Sequence, residues 1–378
     1  MTTDELAAKK VLWEYSGTDM GFQFGEPLIA KVERFGWVVM VPAGYNNASG
    51  KNHLFILDPK TGKELARIDT PVVNPPAVNP AADAGTPDSP SGMSTISAFY
   101  ADISSLVAES VYGGDLSGAV WRFDLRGEKK NPQDPFATPV KIAQAADSAN
   151  NPEPITTRIA VIAQPNTNRR FIAFGTGKLL AASDLKDSQG QRLYAVWDGN
   201  AGRFNSAGNL PKGVTFPITP SNLTRLNDLT QATVVDYSEK VGWYVDAVAG
   251  YRVITDPVYY GGTVAYAATL PNSSNPCNPS GSSIVYAIDL GSGRSQLANN
   301  AAYLSPGFAV TDLQFVRIPS PHGDGGDGGV ALAIGGSGDS NVKAQPSGDK
   351  DCPPAPRPSP ARSVCSVSNR LRALATDC

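Results

Sequence analysis

The sequence has little histidine, little cysteine and no long hydrophobic run. Its 378 residues include only two histidines, His53 and His322, so acid–base or metal chemistry that depends on imidazole is poorly supplied. No stretch approaches the ~18 consecutive apolar residues that indicate a membrane-spanning helix, so we expect no transmembrane segment. The formal net charge of −3 gives no basic footprint, which argues against nucleic acid as a partner.

The four cysteines are Cys277, Cys352, Cys365 and Cys378, and no two of them form a Cys-x-x-Cys pair. This spacing disfavours a zinc knuckle or a thioredoxin-like site. We expect two disulfides formed in an oxidising compartment, with four free thiols as the alternative. Residues 1–10 lack the basic and apolar regions of a signal peptide, so an exported protein would carry its leader upstream of this sequence.

Glycine and proline are abundant, at 37 and 31 residues, and they separate short apolar runs, which indicates many strands and turns. One unit recurs: a proline-led apolar run, a second apolar run, and a third that ends at an aspartate before a turn. The four copies begin at Pro27, Pro76, Pro154 and Pro257 and end at Asp58, Asp124, Asp198 and Asp289. A fifth copy begins at Phe308 but lacks an aspartate-terminated third strand.

These units predict an all-β fold, a quinoprotein-like and irregular β-propeller with about four to five recognisable blades in this sequence. A β-sandwich is the alternative, but it does not explain one strand order that returns with the same ending. The first two units start 49 residues apart (76 − 27), near the ~40–50 residues of one blade. Because an incomplete ring exposes strand edges, we expect either further N-terminal blades or closure into a small irregular ring.

The longer units imply inserted loops, mainly residues 79–109 and 199–240, and these are the candidate recognition loops. We assign residues 1–337 to the propeller domain and residues 338–378 to a Pro-rich, cysteine-containing C-terminal tail. Under the first of these two alternatives, the remaining blades of the propeller would lie upstream of residue 1. Residues 351–358 contain too much proline for a central strand. We expect this segment to lie extended over the surface, pinned by cysteines.

The most specific motif is Tyr112-Gly113-Gly114-Asp115-Leu116-Ser117-Gly118-Ala119-Val120-Trp121-Arg122-Phe123-Asp124-Leu125. It closely resembles the signature of the PilY/PilC propellers. Further matches follow in the family's order, at Pro154-Ile155-Thr156, Phe174-Gly175-Thr176-Gly177-Lys178, Gly242-Trp243-Tyr244 and Val253-Ile254-Thr255-Asp256-Pro257. The resemblance covers roughly residues 11–290. We expect its signature residues to have structural roles in building the blades: Tyr112, Gly114, Asp115, Leu116, Trp121, Phe123, Asp124, Gly175, Gly177 and Trp243.

The resemblance implies the C-terminal β-propeller domain of a type IV pilus tip-associated assembly protein and adhesin. Such a module is non-enzymatic and supports pilus assembly, extension and surface attachment. Its partners would be minor pilins or other pilus components, and a host or abiotic surface ligand. Its location would be extracellular, at the pilus tip or associated with the outer membrane.

Members of this family commonly carry a calcium loop shortly before the signature, but this sequence departs from that pattern. Asn79 replaces the first aspartate, and Asp83 and Asp88 are too widely spaced for alternate carboxylates to surround one ion. The usual calcium site is therefore predicted to be lost. The glycine-rich stretch with Asp324 and Asp327 is a candidate calcium loop, with a hairpin tip as its alternative. No other cofactor is expected.

The strongest alternative function is a quinoprotein dehydrogenase of the pyrroloquinoline quinone (PQQ) type, because Asp58-Pro59-Lys60-Thr61-Gly62 resembles the turn repeated in those propellers. Such enzymes need calcium ligands and a catalytic carboxylate, and they often have vicinal cysteines. This sequence has no adjacent cysteines and no cluster of carboxylates with suitable spacing. Phe174-Gly175-Thr176-Gly177-Lys178 lacks the spacing of a phosphate-binding loop. A generic protein-binding propeller scaffold is the remaining alternative.

Overall fold

The computed structural model describes residues 11–71, 85–127, 134–167, 169–200, 203–204, 210–233, 235–272, 280–297, 302–305, 307–317, 330–338, 363–367 and 371–374. Its strands form five sheets, which follow one another along the chain and are called blades 1 to 5 here. Blade 1 contains β1 (Leu28–Val32), β2 (Gly36–Pro42), β3 (His53–Leu57) and β4 (Glu64–Asp69). Blade 2 contains β5 (Ile96–Phe99), β6 (Ser110–Gly114), β7 (Ala119–Asp124) and β8 (Val140–Gln144). Both are antiparallel meanders in sequence order.

Blade 3 has the strand order β13-β14-β11-β10-β9, with β12 paired to β11. Its strands are β9 (Ala160–Ala163), β10 (Arg169–Gly175), β11 (Arg192–Asn200), β12 (Arg203–Phe204), β13 (Thr224–Arg225) and β14 (Gly242–Asp246). Blade 4 contains β15 (Arg252–Val253), β16 (Val258–Tyr260), β17 (Thr263–Asn272), β18 (Ser280–Asp289) and β19 (Tyr303–Ser305). Two 3₁₀ turns lie at Ala182–Lys186 and Pro220–Asn222.

Blade 5 is completed by the C-terminal part of the chain. It contains β20 (Phe308–Arg317), β21 (Val330–Gly338), β22 (Ser363–Val367) and β23 (Leu371–Leu374), in that order. The third strand that the sequence pattern did not supply to this unit therefore comes from beyond Gly338, in the stretch assigned to the tail. The predicted domain boundary between residues 337 and 338 stays a prediction.

Most strands are apolar on both faces because blades 2, 3 and 4 each lie between two other sheets, and the N-terminal segment covers the second face of blade 1. In β2, Val38 and Met40 pack towards blade 2, whereas Val39 and Val41 face the opposite side. Four apolar clusters fill the spaces between consecutive blades, from blades 1 and 2 to blades 4 and 5. This stacking, with short meandering sheets in series, is the arrangement that the repeated units predict. One prediction needs correction, because β5 of blade 2 lies within residues 79–109, which were predicted to form an inserted loop.

The outward face of blade 1 is covered by the N-terminal segment rather than by another sheet. Trp13, Tyr15 and Met20 pack on a cluster that includes Val39 and Phe55. Trp13 Nε1 donates to the carbonyl oxygen of Pro59 at 3.0 Å. Within the described residues, blades 1 and 5 share no apolar cluster, so the sheets form an open series.

The predicted aspartate turns have a common geometry at Asp58 and Asp289. Asp58 Oδ1 accepts from the amide of Thr61 at 2.8 Å and from its hydroxyl at 2.9 Å, and Gly62 follows at a φ of 69°. Asp289 Oδ1 accepts from the amide of Ser292 at 2.7 Å and from its hydroxyl at 2.8 Å. These carboxylates close their own turns, which is a local use of aspartate.

Candidate functional site between neighbouring blades

Asp115, from the signature motif, joins blades 1 and 2. Its side chain lies in the turn between β6 and β7 and is 1% exposed. Oδ1 accepts from the amide and hydroxyl of Ser117 at 2.9 and 2.6 Å and from the amide of Ala119 at 3.0 Å. Oδ2 accepts from Trp121 Nε1 at 2.9 Å and from Nδ2 of the buried Asn52, which precedes β3, at 2.8 Å. Burial raises the pKa of Asp115, and these hydrogen bonds oppose that rise.

Asp198 is the centre of a second buried network, between blades 2 and 3. Its carboxylate accepts from the hydroxyl of Tyr112, from Arg122 Nη1 at 2.5 Å and from Arg170 Nη2 at 3.3 Å. Arg170 Nη2 also donates to the Asp198 carbonyl oxygen at 3.0 Å. The guanidinium carbon of Arg170 lies 4.6 Å from the ring centroid of Phe99. Burial, together with the Asp198 charge, holds the pKa of Tyr112 well above its usual value.

A third network surrounds Glu153, whose side chain is buried where blades 2 and 3 meet. Oε2 accepts from the Tyr194 hydroxyl at 2.7 Å, and Oε1 lies 3.5 Å from Arg192 Nη1. Burial raises the pKa of Glu153 to about 7, against the opposing effects of Tyr194 and Arg192. The three networks place acidic side chains inside the blade interfaces, where they bind other residues of the chain.

Two signature glycines allow the next blade to approach closely. A Cβ on Gly114 would lie 2.3 Å from Cγ2 of Ile155, and one on Gly175 would lie 2.4 Å from Cγ2 of Val253. In both places the approaching residue donates its amide to the residue after the glycine, from Ile155 to Asp115 and from Val253 to Thr176, at 2.9 Å each. The same contact therefore recurs between blades 2 and 3 and between blades 3 and 4.

The other signature residues also contact the chain itself. Gly177 has a φ of 144° and lies against Arg252. The Leu116 amide donates to Ser91 O at 2.7 Å, and Phe123 is fully buried in the cluster between blades 1 and 2. Asp124 pairs with Arg126 at 2.7 Å near the surface. Trp243 Nε1 donates to Leu290 O at 3.1 Å across the interface of blades 3 and 4.

The loops that enter the innermost strands form a second group of contacts, which the sequence analysis did not single out as a site. The Ser94 hydroxyl accepts from the amides of Phe24 and Gly25, at 3.1 Å each. Arg158 lies 2.5 Å from Glu26 and 3.4 Å from Asp256, which connects blades 1, 3 and 4. Phe24 is 73% exposed beside this group. The sequence signal was present in the matched motifs at Pro154–Thr156 and Val253–Pro257, which flank these loops.

Comparisons with known proteins match this arrangement to one family. A family model described as the PilY1 beta-propeller domain matches residues 10–232. A type IV pilus biogenesis factor PilY1 homolog of Xylella fastidiosa is 30% identical over 308 residues, which cover 76% of this chain and 20% of that protein. The chain belongs to the PilY1 β-propeller family. Type IV pilus biogenesis factor PilY1 of Pseudomonas aeruginosa is 28% identical over 324 residues, which cover 74% of this chain and 26% of that protein.

The fold is shared as well. The crystal structure of the Pseudomonas aeruginosa PilY1 C-terminal domain matches with a TM-score of 0.63 and 21% identity, covering 86% of this chain and 74% of that one. The predicted family and the predicted propeller-type all-β fold are therefore confirmed. The chain spans about a fifth to a quarter of the length of the curated PilY1 relatives it matches.

Most of the predicted metal and disulfide positions lie outside the described residues. This applies to Asn79, Asp83, Asp324, Asp327, Cys277, Cys352 and Cys378, and the side chain of Cys365 in β22 is not described either. Asp88 lies in a turn closed by two backbone hydrogen bonds of 3.0 Å between Thr86 and Ser89. In the part of the chain that the structure describes, no group of three or more His, Cys, Asp or Glu side chains could hold a metal ion. The calcium and disulfide predictions stay predictions.

His53 is buried in a cluster of hydrogen-bonded side chains that fixes the N-terminal segment. Its Nε2 lies 2.6 Å from Asp19 Oδ2 and its Nδ1 lies 2.8 Å from Asp69 Oδ1. Burial alone would raise the pKa of Asp19, but hydrogen bonds from Ser49 and His53 outweigh it and lower the pKa. Ser49 Oγ is 3.4 Å from His53 Nε2, yet Asp19 occupies that nitrogen at a shorter distance, so the ring is poorly placed to activate Ser49.

The described residues contain no helix with the length and apolar character that a membrane-spanning segment needs.

Proposed function

We propose that this chain is a non-enzymatic module of a type IV pilus biogenesis factor, which supports pilus assembly and surface attachment by binding other proteins or surface ligands. The observation that carries the proposal is that the signature residues have structural roles. Tyr112, Asp115 and Trp121 are buried and contact neighbouring strands or blades, so what the family signature specifies is a rigid scaffold. A rigid scaffold with variable loops is suited to recognition.

The proposed location is the pilus tip or the outer cell surface, and the proposed partners are minor pilins, other pilus components, or a host or abiotic surface. The PilY1 relatives support the assignment to a pilus, since each is named a type IV pilus biogenesis factor. This chain covers only 20–26% of the length of those relatives. Its partners, and its role within a whole protein, are therefore proposed.

A binding measurement tests the proposal against the quinoprotein alternative. The purified chain, immobilised on a sensor, is expected to bind at least one purified minor pilin of the organism that encodes it. A sample unfolded in urea serves as the control for non-specific capture. Incubation with calcium and PQQ is expected to give no bound-cofactor absorbance after gel filtration. Cofactor retention with dye-linked alcohol oxidation, and no pilin binding, would favour the enzyme.

A further inference from the structure

The outer edges of blades 2 and 3 are capped by two short extended segments of the chain itself, which the 3₁₀ turn at Pro220–Asn222 connects. Ile218 lies parallel to β8, where its amide donates to Ile142 O and its carbonyl accepts from the Gln144 amide, both at 2.8 Å. A few residues later, β13 pairs in parallel with β14, and the Leu226 amide donates to Tyr244 O at 2.9 Å. The molecule therefore adds extended segments to its own outer strands.

The outer strand of blade 1, β4, has no such cap within the described residues. Thr70 donates its amide to Asn52 O at 3.0 Å, which fixes the phase of the β3–β4 ladder. Because hydrogen-bonded pairs alternate in an antiparallel ladder, the amides and carbonyls of Arg67 and Asp69 point away from β3. Pro42 supports this phase, since it has no amide hydrogen and lies opposite Leu54 in a pair that needs none.

A cavity of about 410 Å³ lies along this edge. One wall is β4 from Leu65 to Asp69, and the other is the segment 134–139 that leads into β8. Phe136 contributes an apolar surface and packs on the cluster between blades 1 and 2. Among the charged side chains of the lining, Arg67 Nε lies 2.7 Å from Asp69 Oδ1, and Asp134 adds one negative charge. The groove therefore combines an open strand edge, an apolar wall and little net charge.

We infer that this groove accepts an extended, uncharged segment of a partner protein, which adds to β4 as a further strand. Addition of a strand to a sheet edge obtains affinity from main-chain hydrogen bonds and specificity from alternate side chains. Here an apolar side chain of the partner would face Phe136 and Leu65. The inference rests on the proposed function, because it takes the partner to be a pilus subunit. The caps at Ile218 and β13 show that such edges in this molecule accept single extended segments.

Two pairs of substitutions test the groove. Arg67→Pro removes the outward amide, whereas Arg67→Ala removes the same side chain and keeps that amide. Ala137→Trp fills the groove from an exposed position, and Ala149→Trp places the same bulk on an exposed turn elsewhere. Binding of purified minor pilins is measured by biolayer interferometry. Arg67→Pro should bind at least tenfold more weakly than Arg67→Ala. Ala137→Trp should bind at least tenfold more weakly than Ala149→Trp, which should itself remain within threefold of the unmodified chain.

Hydrogen exchange supplies an independent readout. In the free chain the amides of Arg67 and Asp69 should exchange quickly, and a bound pilin should protect them. The inference is overturned if these amides are already protected, because a segment of the chain itself then occupies the edge. It is also overturned if a pilin binds equally well to all four variants, an outcome that leaves the proposed function standing. Failure of every pilin to bind the unmodified chain counts against the proposed function and removes this inference with it.

Discussion

Gly114 and Ile155 approach so closely that a Cβ on Gly114 would lie 2.3 Å from Cγ2 of Ile155. The contact joins the end of β6 to the loop that enters blade 3. It recurs one blade later, where a Cβ on Gly175 would lie 2.4 Å from Val253 Cγ2. At both positions a β-branched side chain that leads into or lies in the next blade leaves no room for a Cβ. Glycine is therefore required there by packing, independently of turn geometry.

Gly114→Ala is expected to destabilise the fold, because its methyl group would overlap the Ile155 side chain in a packed interface. Overpacking of this kind costs about 1–3 kcal/mol in the free energy of unfolding. Urea denaturation followed by tryptophan fluorescence measures the change. Gly190→Ala is the matched control, since nothing lies within 4 Å of the added Cβ and the position is exposed. Equal stability of the two variants would contradict the proposed close contact.

Much of the fold could be predicted from local pattern. Strands β2 and β3 follow from continuous apolar runs, and the turns at Asp58 and Asp289 follow from an aspartate with a threonine or serine three residues later. The prediction for Asp198 was only partly right. The residue follows an apolar run as predicted, but β11 continues to Asn200, so Asp198 lies within the strand and not before a turn. Its carboxylate turns inward to Arg122 and Arg170, and sequence alone does not show that these residues meet.

The capping stretch and the end of blade 5 could not be predicted. Ile218 and β13 make only one or two residue pairs each, so they produce no alternation of apolar and polar residues. Residues 199–240 were interpreted as a recognition loop, and that role stays a prediction, but part of this insertion caps two blades. Strands β22 and β23 reach blade 5 across a long sequence separation, which a local pattern does not encode.

Asp198→Asn is expected to be among the most damaging single substitutions in the interface of blades 2 and 3. It removes the negative charge that both buried guanidinium groups contact, and loss of one partner of a buried ion pair costs about 3–5 kcal/mol. Differential scanning calorimetry should show a much lower melting temperature. Asp124→Asn removes the same charge from a partly exposed pair with Arg126, so it should cost only about 0–1 kcal/mol. A smaller effect at Asp198 than at Asp124 would refute the assignment.

Trp243→Phe tests the contact between blades 3 and 4. The substitution keeps an aromatic ring but removes the Nε1 donor to Leu290 O and leaves space behind. The Leu290 carbonyl oxygen keeps the Tyr237 hydroxyl as a donor at 3.4 Å, so the main cost is the lost packing. A loss of about 1–3 kcal/mol is expected in urea denaturation. Trp37→Phe is the control, because Trp37 is 51% exposed and its replacement should change stability by less than about 0.5 kcal/mol. Similar losses at both positions would argue against the interface contact.

Glu153 should make stability fall as the pH rises from about 4.5 to about 7. Burial raises its pKa from an ordinary value of 4.5 to about 7, so in this window the folded chain holds a proton that the unfolded chain has released. Stability therefore decreases with pH, by up to about 3 kcal/mol for this one group. Carboxyl groups whose pKa is lowered, such as Asp19, act below this window. Asp115, whose pKa burial also raises, adds a fall of the same sign, and this fall is common to the unmodified chain and a Glu153 variant.

Glu153→Gln isolates this effect, because glutamine keeps the shape and has no proton to lose. The free energy of unfolding, measured in urea at intervals between pH 4.5 and 7.5, should fall with pH in the unmodified chain and change much less in the variant. Glu239→Gln, at an exposed turn, should retain the full slope. Parallel pH curves for the unmodified chain and Glu153→Gln would show that Glu153 is ionised in the folded protein throughout. The buried contact with Tyr194 would then have to hold a carboxylate.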